Sequence, residues 1–240
     1  MLAVRDRLIV ALDVATAAEA RHIISALGDS VSTFKVGKQL FTAEGPTLVR
    51  EIVAGGHKVF LDLKFHDIPN TVSAAVAAAG ALGASMLTVH ASGGSAMMKA
   101  ATEAAARCAK PPLILAITVL TSFLDSDLEE IGVAGRAVDQ VLRLASLARS
   151  AGCNGIVSAV SEVAALRREL GEGFAIVTPG VRPTGAAKDD QARVATPHQA
   201  LAAGASLIVV GRPITAAADP AAAARAILEE MSAAESIRKV

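Results

Sequence analysis

Short runs of β-branched and aliphatic residues recur along the chain about every 20–40 positions. They are RLIVALD (7–13), TFKVG (33–37), KVFLDLK (58–64), MLTVH (86–90), LILAIT (113–118), GIVSA (155–159), FAIVTPG (174–180) and SLIVVGRPI (206–214). Between them lie Ala-rich stretches with helical spacing. One of these, TAAEARHIISALG, opens with a capping box from Thr16 to Glu19 and closes on Gly28. Another, GPTLVREIVAGG, carries Pro46 near a helix start. Eight strands alternating with helices predict a (β/α)8 barrel, a TIM barrel of the α/β class. An open doubly wound sheet is the alternative, and it usually has fewer strands. No Ser/Pro-rich linker or break in composition divides residues 1–240, which read as a single barrel domain. Its long polar loop, RPTGAAKDDQAR (182–193), is expected to be mobile, and the SAAESIRKV tail (232–240) to fray.

In a strand, alternate residues share a face. Along 58–64, Val59, Leu61 and Leu63 form an apolar face suited to packing on outer helices, while Phe60, Asp62 and Lys64 form the other. Asp62 and Lys64 then stand roughly 6.6 Å apart along the strand, two rises of about 3.3 Å. Asp67 follows in the loop. Charges at the end of a buried strand are costly unless something requires them. The other strands repeat this polarity: the first ends in Asp13, the second carries Lys35, the fourth ends in His90, the fifth runs on to Thr121 and Ser122, and the eighth ends in Gly211 and Arg212. Barrel active sites are built at the C-terminal ends of strands. Asp13, Lys35, Asp62, Lys64 and Arg212 are therefore expected to converge on one mouth. Asp62–Lys64 taken alone also fits a local ion pair.

Composition narrows the function classes. Hydrophobic residues make up 52% of the 240, with no Trp or Tyr, so the core is Ala, Val, Leu and Ile. Lys+Arg and Asp+Glu balance at 23 each, which argues against a polyanion such as nucleic acid as partner but leaves room for a local phosphate site. The N-terminal MLAVRDRLIVALDV has too short an apolar run for a signal peptide or membrane span. Cys108 and Cys153 show no metal spacing and read as buried thiols of a cytoplasmic protein. His22, His57 and His198 read as surface histidines, and His66 as one that structures its loop.

Two lysines and two aspartates packed together hold charge without net excess. A lysine so held is a cation that stabilises developing negative charge and a proton donor to a carbanion formed beside it. It is a poor Schiff-base nucleophile, which requires the free amine. The second half of the chain supplies an anion pocket. In such barrels phosphate often sits at the loops after strands seven and eight. VVGRPI offers close backbone approach at Gly211 and a forked donor at Arg212, and Arg182 follows strand seven. Arg182 alone also fits a solvated loop arginine.

DLKFHDIPNTV (62–72), VTPGVRP (177–183), DDQAR (189–193) and VVGRPI (209–214) closely resemble the orotidine 5'-phosphate decarboxylase family, as do IVALDV, FKVG (34–37) and LTS (120–122). The likeness runs in order from residue 7 to about 230. It implies a homodimeric barrel with active sites at the subunit interface, acting on a nucleotide with no cofactor or metal. Lys35, Asp62 and Lys64 would come from one subunit and Asp67 from its partner, in an alternating charged network. Lys64 would protonate C6 of the pyrimidine, and Asp62 would lie beside the substrate carboxylate. Asp13 and Lys35 would bind ribose hydroxyls, with Thr71 given across the interface, and Ile68 would also bind substrate. Thr121 and Ser122 would meet the ligand over strand five. Arg182, Gln191, Gly211 and Arg212 would hold the phosphate, with Gly185 helping the 182–193 loop to bend.

Two other readings are set against this one. Phosphosugar decarboxylases and aldolases on the same scaffold share the Asp-x-Lys-x-x-Asp spacing but use Mg²⁺, held by an acidic residue near the end of strand two, where this chain has Lys35. A non-catalytic phosphate sensor would need the pocket but not the paired lysines and aspartates.

Overall fold

The computed structural model describes residues 3–183 and 195–238. Gly185, Gln191 and the DDQAR motif lie outside the described residues. Eight parallel strands form a closed barrel in sequence order. They are β1 (Leu8–Ala11), β2 (Thr33–Gly37), β3 (Lys58–Phe65), β4 (Met86–His90), β5 (Leu113–Ile117), β6 (Gly155–Val157), β7 (Ala175–Thr178) and β8 (Leu207–Val210). Closure runs through β1 and β8, with Ile9 opposite Val209.

The helices are α1 (Ala17–Leu27), α2 (Lys38–Ala54), α3 (Pro69–Ala81), α4 (Gly94–Ala106), α5 (Asp125–Glu130), α6 (Ala137–Ser150), α7 (Val160–Leu170), α8 (Pro197–Ala203), α9 (Arg212–Thr215) and α10 (Pro220–Arg238). Thr16 caps α1: its hydroxyl accepts from the Glu19 N–H while the Glu19 carboxylate accepts from the Thr16 N–H. The Thr16 hydroxyl, which also donates to the Glu19 carboxylate, and then the Thr16 N–H hold that carboxyl below its usual range. Within α2 the backbone turns at Gly45 (φ 68°), and Pro46 starts the continuing helical segment. Several strands stop short of the runs seen in the sequence. β5 ends at Ile117, so Thr121 and Ser122 belong to the following turn, and β8 ends at Val210, so Arg212 begins α9. In both places the chain leaves the ladder once it passes the barrel rim. The tail expected to fray from Ser232 continues α10 to Arg238, because Met231 and Ala234 are buried in the core.

The period-two alternation divides the strands cleanly. Val59 and Leu61 of β3, Leu87 and Val89 of β4, and Ile114 and Ala116 of β5 pack outward against the helices. Ile9, Ala11, Phe60, Met86, Leu115, Val177, Leu207 and Val209 fill the barrel interior. That interior layer is the floor on which the site stands. Cys153 is buried, which pushes its thiol up to about 12. Cys108, expected to be buried, is only half-buried beside Gly80 and Pro112. His57, expected at the surface, is half-buried edge-on against Phe34, with ring centroids 5.1 Å apart. His198 is half-buried too. Among the described residues, no helix is long and apolar enough to cross a membrane.

Candidate active site

Above the barrel filling a cavity of about 380 Å³ opens at the C-terminal end of the strands. Ala11 and Asp13 reach it from β1 and its loop, Lys35 from β2, and Phe60, Asp62 and Lys64 from β3. The rest of the lining is Ile117 at the end of β5 with Val119, Leu120 and Thr121 after it, Pro179, Gly180 and Arg182 after β7, and Gly211 and Arg212 after β8. A cavity of this size takes a nucleotide-sized ligand. The charged pairs rise from β1, β2 and β3, and the two arginines follow β7 and β8, the latter strand paired with β1, so that Gly211 stands beside Asp13.

The charges form two pairs of different construction. Lys35 Nζ donates to Asp13 Oδ1 at 2.7 Å. This pair joins neighbouring strands: Ala11 stands opposite Lys35 in register, and the Leu12 N–H donates to the Lys35 carbonyl at 2.9 Å. Gly37 leaves room for it, since a Cβ there would stand 3.1 Å from Lys35 Nζ. In the second pair Lys64 Nζ donates to Asp62 Oδ2, also at 2.7 Å. Asp62 is 8% exposed, and its other oxygen accepts from the Thr88 hydroxyl at 2.9 Å. Gly37 faces Asp62 across β2 and β3, so the two pairs are neighbours.

Other expected residues fall outside the cavity of this chain. Asp67 and Ile68 lie on the outer rim with His66, Pro69, Ser92 and Gly93. Asp67 Oδ1 accepts from the Ile68 N–H at 2.6 Å, Ile68 is 66% exposed, and Thr71 is exposed on the first turn of α3. Ser122 is exposed and does not line the cavity, whereas Thr121 does. His90 packs against His66, with ring centroids 5.2 Å apart, rather than lining the cavity. Burial first, then the positive charge of His66, Lys38 and Lys64, lowers its pKa to about 4, so it is neutral at physiological pH. Sequence reasoning missed Thr88. It occupies the inward position of β4 two residues before His90, and alternation along MLTVH was the signal that could have found it.

Among the described residues, no group of three or more His, Cys, Asp or Glu is placed to hold a metal ion. Both cavity aspartates are engaged by lysine ammonium groups instead. The arrangement can hold an anionic ligand at the arginine end, bind hydroxyls at Asp13 and Lys35, and present an ammonium to a reacting atom near Asp62.

Residues 6–227 match the profile of the orotidine 5'-phosphate decarboxylase / HUMPS family. A protein of Halorhodospira halophila named orotidine 5'-phosphate decarboxylase is 54% identical over 228 residues, 95% of this chain and 97% of the relative. A protein of the same name from Idiomarina loihiensis is 51% identical over 222 residues, 92% of this chain and 96% of the relative. The crystal structure of orotidine 5'-phosphate decarboxylase from Lactobacillus acidophilus superposes with a TM-score of 0.85 at 41% identity, covering 94% of this chain and 99% of that one. With matches of this extent over a barrel whose mouth gathers the motif residues, the chain belongs to the orotidine 5'-phosphate decarboxylase / HUMPS family.

Proposed function

We propose that this enzyme decarboxylates orotidine 5'-phosphate to uridine 5'-phosphate in pyrimidine biosynthesis, without a cofactor, as a cytoplasmic homodimer. The observation that carries the reading is the Lys64 ammonium held 2.7 Å from Asp62 in a nucleotide-sized cavity. The bond from C6 to the carboxylate breaks, carbon dioxide leaves, and the electron pair stays on C6. Lys64 stabilises that charge and then donates a proton to C6, which closes the balance. Asp62 lies beside the departing carboxylate. Asp13 and Lys35 bind ribose hydroxyls, Thr121 meets the ligand over β5, and Arg182, Gln191, Gly211 and Arg212 take the phosphate.

Asp67, Ile68 and Thr71 point outward from their own chain, which suits service to the neighbouring subunit's site. Lys35 in β2, bonded to Asp13, puts an ammonium where a Mg²⁺-dependent relative would need a carboxylate.

The deciding assay follows loss of orotidine 5'-phosphate absorbance and release of carbon dioxide, with and without EDTA. Turnover unaffected by chelator is expected, and no turnover would discard the reading. The shared site is tested by mixing Lys64→Ala with Asp67→Ala protein. A hybrid dimer then carries one site with both residues intact, so activity should return. Demonstrated subunit exchange with no recovery excludes a residue given in trans.

A further inference from the structure

The pairing of β3 with β4 changes register in the middle of the site. Met86 lies 26 positions beyond its partner Phe60, but Val89 lies only 24 beyond its partner Phe65, so β3 carries two extra residues here. Asp62, Leu63 and Lys64 thus stand opposite Thr88 alone. Bulges of this kind interrupt the ladder and re-aim side chains. Within the bulge, Lys64 takes a left-handed backbone conformation (φ 54°), which no other non-glycine residue does among the described residues. Such a conformation is strained in a residue that carries a side chain and persists only where its surroundings hold it.

Thr88 supplies what holds it. Its Oγ1 accepts from the Lys64 N–H at 2.9 Å, taking the place of the ladder carbonyl the bulge removes. The same hydroxyl donates to Asp62 Oδ1 at 2.9 Å. A hydroxyl has one proton, a carboxylate only accepts and an N–H only donates, so both polarities are fixed. Thr88 is fully buried, and its branched Cβ restricts χ1, so water cannot substitute and the hydroxyl has little freedom to turn away. One atom therefore fixes the backbone of Lys64 and the carboxylate that Lys64 Nζ engages on its other oxygen.

We propose that Thr88 is the positioning residue for proton delivery: its hydroxyl sets the geometry between Asp62 and Lys64 without touching substrate. This rests on the decarboxylase reading. A hydrogen bond to a charged group is stronger than one between neutral groups, and a small displacement of a reacting group lowers the rate of the chemical step.

The test compares Thr88→Val, of matching shape without the hydroxyl, with Thr88→Ser, which keeps it. Thr88→Val should fold, lose about 10- to 100-fold in kcat and keep KM for orotidine 5'-phosphate within about threefold, the loss expected when a hydrogen bond to a charged group disappears. Thr88→Ser should recover kcat to within about threefold of wild type. A crystal structure of Thr88→Val should show Lys64 out of the left-handed region or its Nζ parted from Asp62. The proposal is overturned if Thr88→Val keeps wild-type kcat, if serine fails to rescue, or if the loss lies in KM. It is also overturned if Thr88→Val and Thr88→Ala both fail to fold, since the role would then be structural. Should the wild type prove inactive on orotidine 5'-phosphate, the decarboxylase reading falls by itself. The crystal structure still decides Thr88, because an unchanged Lys64–Asp62 geometry in Thr88→Val overturns the proposal.

Discussion

Two lysine–aspartate pairs of the same length, 2.7 Å, stand side by side in the cavity, yet they are built differently. Asp13–Lys35 bridges two strands, and the Asp13 side chain is 54% exposed. The exposed carboxylate of that pair is open to exchange partners with a ligand's hydroxyls, although Lys35 is only 12% exposed. Asp62–Lys64 lies within one strand, its aspartate is 11% exposed at the side chain, and both members are tied to Thr88. Distance alone does not separate a binding pair from a reacting pair. Burial of the aspartate and restraint do, since Lys35 is itself less exposed than Lys64: the exposed Asp13 can reorganise around a substrate, while Asp62 is held before the substrate arrives.

The comparison can be broken by mutation. The largest effect is expected at Lys64: Lys64→Ala should leave a folded protein with kcat lowered by at least about 10²-fold, the low end for loss of a general acid. Near-normal turnover would erase the distinction between the pairs. Asp13→Ala should act mainly on KM, raising it by about tenfold through a lost hydrogen bond to the ribose, with a smaller change in kcat. If Asp13→Ala instead lowered kcat as far as Lys64→Ala, both pairs would belong to the reacting group.

The smallest effect concerns the histidine beside the buried pair. His90 titrates at about 4 in the folded protein against an ordinary 6.5, so between those values the unfolded chain binds more protons. Its contribution to stability is complete above pH 6.5 and is lost as pH falls toward 4. In thermal melts across this window, His90→Gln should lose less Tm than wild type as the pH drops. Parallel curves for the two proteins would show that burial of His90 carries no such linkage.

The capping box at Thr16, the outward and inward faces of β3, and the gathering of Asp13, Lys35, Asp62, Lys64 and Arg212 at one rim were legible in the chain. Each depends on neighbours within a few residues, or on the rule that every strand of a parallel barrel ends at the same rim. Which lysine meets which aspartate was not legible. The Asp13–Lys35 contact spans 22 residues and needs the β1–β2 register; the Thr88–Asp62 contact spans 26 and needs a register change that strand alternation does not announce. The half-burial of His57 and Cys108 likewise follows from what packs over them. The sequence by itself determined the eight-fold alternation, the faces of its strands and the residue types at the mouth, because these are short-range patterns. Only the tertiary structure decided the left-handed turn at Lys64 and its hold by Thr88. A two-residue bulge and the partner that satisfies it are properties of two strands in register, encoded in neither alone.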